Sequence, residues 1–179
     1  MRTELFDGTL QIRRYETADI PLLFEAARES VPEASRWLPW LHAGYSMEES
    51  LEWVNDSRKQ WEIGQEYSFA IIDPMTHLFM GGVGLNQINA MHRIANLGYW
   101  VRSSCTGRGV ATAATRLVSQ FGFQDLKLQR LEILVEVGNV ASQRVAEKAG
   151  AHREGILRKR FCIHGNPADA IVYSLVMDG

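Results

Sequence analysis

The segment NLGYWVRSSCTGRGVATAATRL, residues 96–117, constrains this chain more than any other. Its apolar, aromatic start reads as a strand. Two glycines follow, and then Val110, Ala114, Leu117, Val118 and Phe121 recur on one helical stripe. A helix N-terminus leaves four N–H donors unpaired and carries partial positive charge, so a strand, glycine loop and helix in series suit a phosphate. A plain tight turn, with glycines serving only unusual φ values, accounts for the same residues. The loop alone leaves both readings open.

The surrounding pattern narrows the choice. TLQIRRY alternates as a first strand, and TADIPLLFEAARES follows as a helix capped by Thr17 or Asp19, with Leu22, Leu23 and Ala26 on one face. SRWLPWLHAGYS is aromatic and broken by Pro39. MEESLEWVNDSRKQWEIG sets Leu51, Val54, Arg58 and Trp61 at helical spacing and stops at Gly64. EYSFAII, HLFMGGVGLNQI and IANLGYWV are strands joined by the short turns DPMT and NAMHR, which makes them antiparallel neighbours. After the loop and its helix come the strand RLEILVEV, a short helix from Asn139 to Gly150, and a closing hairpin across HGNP. The expected fold is α/β, a mixed and mostly antiparallel sheet in one domain over residues 1–179.

Several function classes drop out. No glycine precedes Lys-Ser or Lys-Thr at Walker spacing. Gly107-x-Gly109-x-x-Thr112 with Glu132 downstream partly matches a dinucleotide fingerprint, but its antiparallel surroundings oppose an NAD(P)-binding Rossmann unit. A net charge of −2 gives no footprint for nucleic acid or anionic membrane. Cys105 and Cys162 show no metal-ligand spacing, so no metal is expected, and they fit a reduced, cytoplasmic chain. The first twenty residues hold no leader-like apolar run, and no stretch reaches membrane-spanning length.

GYWVRSSCTGRGVAT followed by RLEILVEVGNVASQRVAEKAGA resembles the core of the GNAT superfamily of N-acetyltransferases. More narrowly it is similar to the ribosomal-protein, RimJ/RimL-like branch. The family's acyl-CoA loop runs Gln/Arg-x-x-Gly-x-Gly/Ala, and Thr106-Gly107-Arg108-Gly109-Val110-Ala111 matches it except at Thr106. Asn139-x-x-Ser142 and the helix ending EKAGA match the branch, with Ala151 in place of Phe.

The resemblance implies a GNAT fold with helices on both faces and a splayed central pair of parallel strands, LGYWV and LEILVEV. It implies acetyl-CoA as co-substrate, with pyrophosphate on the N–H groups of Gly107 to Ala111 and pantetheine along Trp100 and Val101. The Val101 N–H would polarise the thioester carbonyl. Asn139 would cap the helix beside the cofactor.

The implied reaction is direct attack of a primary amine on the thioester. The acceptor is expected to be a protein N-terminal α-amine of the ribosomal-protein serine or alanine type. A polyamine or aminoglycoside, or acyl-CoA binding without catalysis, remain alternatives, and a homodimer is compatible with the family. The tyrosine many relatives carry seven residues after the Asn is Ala146 here. The glutamate of Rim-type relatives is Phe161, and Asn96 lies near the strand carboxylate found elsewhere in the superfamily. Ser142 is the candidate acid, or else a first-turn hydroxyl satisfying the backbone. Glu136 is the best remaining carboxylate for a base, or else a surface side chain. Deprotonation through water stays open, as do His92 and His164 as relays. Trp37, Trp40 and His42 shape the acceptor site or pack the fold.

Overall fold

The computed structural model describes residues 1–177. In chain order the elements are β1 (Glu4–Phe6), β2 (Gln11–Arg14), α1 (Ile20–Ala34), α2 (Met47–Glu62), β3 (Tyr67–Ile72), β4 (Phe79–Asn89) and β5 (Ile94–Val101). There follow α3 (Val110–Gln124), β6 (Arg130–Glu136), α4 (Val140–Ala149), β7 (His152–Ile163) and β8 (Asn166–Val176). Eight strands form one sheet in the order β1-β2-β3-β4-β5-β6-β8-β7.

Every neighbouring pair is antiparallel except β5 and β6. Those two run parallel and pair only through Ile94, Ala95 and Asn96 against Arg130, Leu131 and Glu132. Beyond that point β5 stays with β4 as far as Val101, while β6 stays with β8 as far as Glu136. The sheet therefore opens into a wedge between residues 97–101 and 133–136.

Helices cover both faces. Phe69 and Ile71 of β3 join the core built on α3, while Ala70 and Ile72 between them join the cluster under α1. All five residues of the predicted α3 stripe are buried. Phe121 meets Tyr67 and Phe69 with ring centroids 5.4 and 5.1 Å apart, and Trp61 of α2 closes on Phe69 at 4.8 Å. Truncating Phe121 would remove about 3–5 kcal/mol of stability.

The structure departs from the expected elements in four places. A short β1 precedes the first expected strand; the Asp7 carboxylate accepts the N–H groups of Thr9 and Leu10 in the turn that folds it back. Before α1, Thr17–Asp19 forms one 3-10 turn, and the buried Asp19 carboxylate accepts from Glu16 N and from both Arg13 Nη atoms. Leu22 and Leu51 face outward, and α2 instead buries Ser50, Val54, Ser57 and Trp61. The hydroxyls of Ser50 and Ser57 bond Tyr45 Oη and Val54 O, which lets these polar side chains lie inside. The β7–β8 turn uses His164 and Gly165 alone, both at positive φ, so Asn166 and Pro167 pair within β8.

Among the described residues no helix is long and apolar enough to cross a membrane, and none group as a metal site. Cys105 is buried and Cys162 exposed, and they are not bonded to each other.

Candidate active site

The opened edge of β5 determines what the wedge offers. Arg102 N donates to Met80 O of the β4 side at 2.8 Å. Backbone groups alternate along a strand. Trp100 therefore also turns its N–H and C=O to β4, and Tyr99 and Val101 turn theirs to the wedge, where β6 has moved away. Buried backbone donors need partners, so this edge is prepared for an extended ligand. The sequence assigned that edge to Trp100 and Val101 together. Here Val101 supplies free backbone, whereas Trp100 contributes its indole to a neighbouring cavity.

At the tip of β5 the chain makes a short turn and enters α3. Gly109, at φ +81°, stands just before the helix, and Gly107 is at φ +74°. Both are exposed with open space above them, so nothing covers the loop. Among the described residues the N–H groups of Gly107, Arg108, Gly109, Val110, Ala111 and Thr112 have no acceptor; Ala113 N is the first to bond back, to Gly109 O at 3.0 Å. Unsatisfied donors, the positive helix end and absent side-chain bulk together fit a pyrophosphate. Thr106, at the departing position of the motif, spends its hydroxyl on Ser103 O at 2.8 Å, so it supports the loop from within. Arg108 is exposed beside the cradle.

Across the wedge, β6 leads through residues 137–139 into α4. Asn139 is its N-cap, its side-chain oxygen accepting from Ser142 N at 3.1 Å. This fixes Ser142 in the first turn, opposite Tyr99. The Tyr99 hydroxyl lies 3.0 Å from Ser142 O, to which it donates, and 3.0 Å from Ser142 Oγ. Burial pushes the Tyr99 phenol up to about 12, although the bond to Ser142 draws it down. It therefore stays protonated at neutral pH.

Ser142 and Tyr99 also line a cavity of about 680 Å³ that extends from the wedge under α1 and α2. Its walls carry Trp37, Trp40, Tyr45, Trp53 and Trp100, and Trp40 meets Trp100 with centroids 5.4 Å apart. Gly82 forms part of its floor. A Cβ there would come within 2.6 Å of Tyr15 Oη and 2.9 Å of Trp100 Nε1, so only glycine lets those two groups approach the strand. Glu49, Glu52 and Asp56 of α2 complete the lining, and no lysine, arginine or histidine joins them.

A protein-family comparison matches residues 9–152 to the acetyltransferase (GNAT) domain. The chain belongs to the GNAT acetyltransferases. Among this acetyltransferase's relatives, a probable N-acetyltransferase of Bacillus subtilis, YjcK, is 37% identical over 122 residues, covering 68% of this chain and 67% of that one. The solved structure of a putative ribosomal-protein-serine acetyltransferase from Vibrio cholerae superposes with a TM-score of 0.87 at 28% identity, covering 99% of this chain and all of the other. RimL, a ribosomal alpha-N-protein acetyltransferase solved in complex with coenzyme A, shares the fold at a TM-score of 0.88 and 22% identity, covering 96% of each chain. The eight-stranded mixed sheet with parallel β5 and β6 is the GNAT fold that the sequence pattern anticipated.

In this GNAT chain the expected site residues separate into two groups. Val101 ends the opened β5 edge, Gly107 to Ala111 lead from it into α3, and Asn139 and Ser142 open α4, with Ser142 against Tyr99 across the wedge. Glu136 does not line the cavity; its Oε2 accepts the Gly138 N–H at 2.7 Å and closes the turn that delivers α4. Phe161, at the Rim-type glutamate position, does line it. His42 sits outside the lining, bonded through Nε2 to Glu49 Oε1 at 2.8 Å. Sequence reasoning passed over Tyr99, Tyr15 and the α2 carboxylates. The spacing of Glu49, Glu52 and Asp56, which puts all three on one helical face, was the available signal. Tyr99 and Tyr15 carried none, because their roles depend on contacts with distant segments.

Proposed function

We propose that this GNAT chain acetylates the α-amine at a protein N-terminus, using acetyl-CoA as co-substrate and Ser142 as the acid that protonates the departing thiolate. The observation that carries the reading is the convergence of three features on one wedge: the open N–H cradle at Gly107 to Ala111, the free β5 edge at Val101, and the Tyr99–Ser142 hydroxyl pair. Ribosomal-protein acetyltransferases among the relatives support the acceptor class.

Acetyl-CoA supplies an acyl carbon already activated as a thioester. The chain's own residues do the rest. The cradle N–H groups fix the pyrophosphate, with Arg108 beside them. Val101 N–H, turned to the wedge, would meet the carbonyl oxygen and favour the charge that builds there on attack. Asn139 holds the first turn of α4, and Ser142 Oγ–H would give its hydrogen to the leaving sulfur. Tyr99 spends its one hydrogen on the Ser142 carbonyl, so its oxygen accepts the serine Oγ–H at rest and holds that hydroxyl in place until it turns to the sulfur. The attacking nitrogen must be neutral, and the proton it sheds after attack passes through water in the open cavity to Ser142 Oγ, replacing the one given to the sulfur. Glu136, the candidate base by sequence, serves in this reading as the carboxylate of the β6–α4 turn.

The test is acetyl-CoA consumption with peptides beginning in Ser or Ala, the same peptides blocked at the N-terminus, spermidine and an aminoglycoside. Turnover of free but not blocked peptides is the expected result. Tight CoA binding with no acetyl transfer to any acceptor would make the chain a binding module instead.

A further inference from the structure

The acceptor cavity holds more negative charge than acetyl transfer needs. Of its three carboxylates, Glu49 is already engaged, by His42 Nε2 and by Ser46 N, each at 2.8 Å. Glu52 has no hydrogen-bond or ion-pair partner among the described residues, and Asp56 receives only Gln60 Nε2 at 3.2 Å. These two stand four residues apart on α2, about 6 Å along its axis, where like charges repel. Both are exposed at the cavity rim, and no cationic side chain lines the cavity with them.

A second, independent feature lies deeper. Tyr15 is 2% exposed and lines the same cavity; the Trp53 indole N–H is a donor near its hydroxyl, and among the described residues the hydroxyl's own hydrogen has no acceptor. It sits above Gly82, beside the indole Nε1 of Trp100. A buried hydroxyl with its hydrogen unspent is uncommon in a folded chain, and here it faces space that a ligand can enter. The indole faces of Trp40, Trp53 and Trp100 are suited to methylene chains and to cations.

We infer that the acceptor is a dicationic amine. One amine reacts in the wedge, a polar group between the two cations bonds Tyr15, and the second cation rests on Glu52 and Asp56. The inference deepens the acetyltransferase reading and rests on it. The same chemistry has two sources: a Lys or Arg side chain near a peptide N-terminus, or the second ammonium of a polyamine.

The experiment compares kcat/KM for matched peptides beginning Ser-Lys, Ser-Gln and Ser-Glu, with spermidine and butylamine in parallel. It uses the wild type, Glu52→Gln/Asp56→Asn and Glu52→Lys, with CoA affinity and thermal midpoint recorded for each. The wild type should favour the Lys peptide over the Glu peptide by about tenfold at low salt, and less at high salt. The double variant should lose most of that ratio, and Glu52→Lys should reverse it. If only spermidine is acetylated, over butylamine and with a KM that rises in the double variant, the cation subsite stands and the peptide reading fails. A wild type without charge preference, or a preference that survives in the double variant, overturns the subsite and leaves acetyl transfer untouched.

Discussion

The Tyr99 hydroxyl sits 3.0 Å from both the carbonyl oxygen and the Oγ of Ser142, so one phenol contacts two oxygens of the same residue across the open wedge. If Ser142 protonates the thiolate, Ser142→Ala should lower kcat and kcat/KM together by about a hundredfold. A serine acting only in the first turn of the helix would give a near-normal kcat. Tyr99→Phe should lower kcat by less, about tenfold, with little change in the KM for acetyl-CoA. Because the phenol stays protonated, the variant should leave the shape of the neutral pH–rate profile unchanged.

At the cradle, Gly109→Asp should abolish CoA binding in calorimetry. The substitution adds a carboxylate where the pyrophosphate approaches, at a φ of +81° that side chains other than glycine rarely adopt. Gly109→Ala separates the causes. It adds strain without charge, so it should weaken CoA binding by about tenfold and leave it measurable.

The role of Glu136 is decided by replacing it with Gln. The amide oxygen can still accept the Gly138 N–H, so a carboxylate that only closes the turn should leave kcat within about threefold of wild type. A drop of about a hundredfold or more, with the alkaline rise in rate displaced, would restore Glu136 as the general base.

Acid stability should depend on Glu154. Arg130 and the Ser174 hydroxyl bond its carboxylate, holding its pKa down at about 2, below the ordinary 4.5. A folded-state pKa below the unfolded one means the ionised group stabilises the fold above pH 4.5, and that this is lost as pH falls toward 2. The thermal midpoint of the wild type should therefore fall across that window more steeply than that of Glu154→Gln. Parallel curves for the two proteins would remove this pair from the account.

Much of the architecture could be read from local pattern. The α3 stripe, the three-strand meander and the closing hairpin all rest on periodicity and turn residues, which report directly on short-range geometry. The open glycine loop before α3 was legible for the same reason, since a run of consecutive free N–H groups is a local object. The acceptor side was not. Tyr15 and Tyr99 reach the site only because β2, β4, β5 and α4 are brought together by the sheet. The outward turn of Leu22 and Leu51 reflects tertiary packing overriding an apolar pattern. Glu136 drew attention as a carboxylate near the wedge, but the backbone N–H two residues away had already claimed it.

The three-pair seam between β5 and β6 makes the sheet a zipper left partly undone, with β1–β5 on one side and β6, β8 and β7 on the other. A molecule that bonds the β5 edge and lies against β6 closes teeth the chain itself leaves apart, so part of its binding free energy becomes cohesion between the two halves. The melting temperature of this acetyltransferase should then climb with CoA concentration. Amide exchange should slow most at Tyr99 and Val101, whose protons are free in the unliganded wedge, and hardly change in the strands at either outer edge.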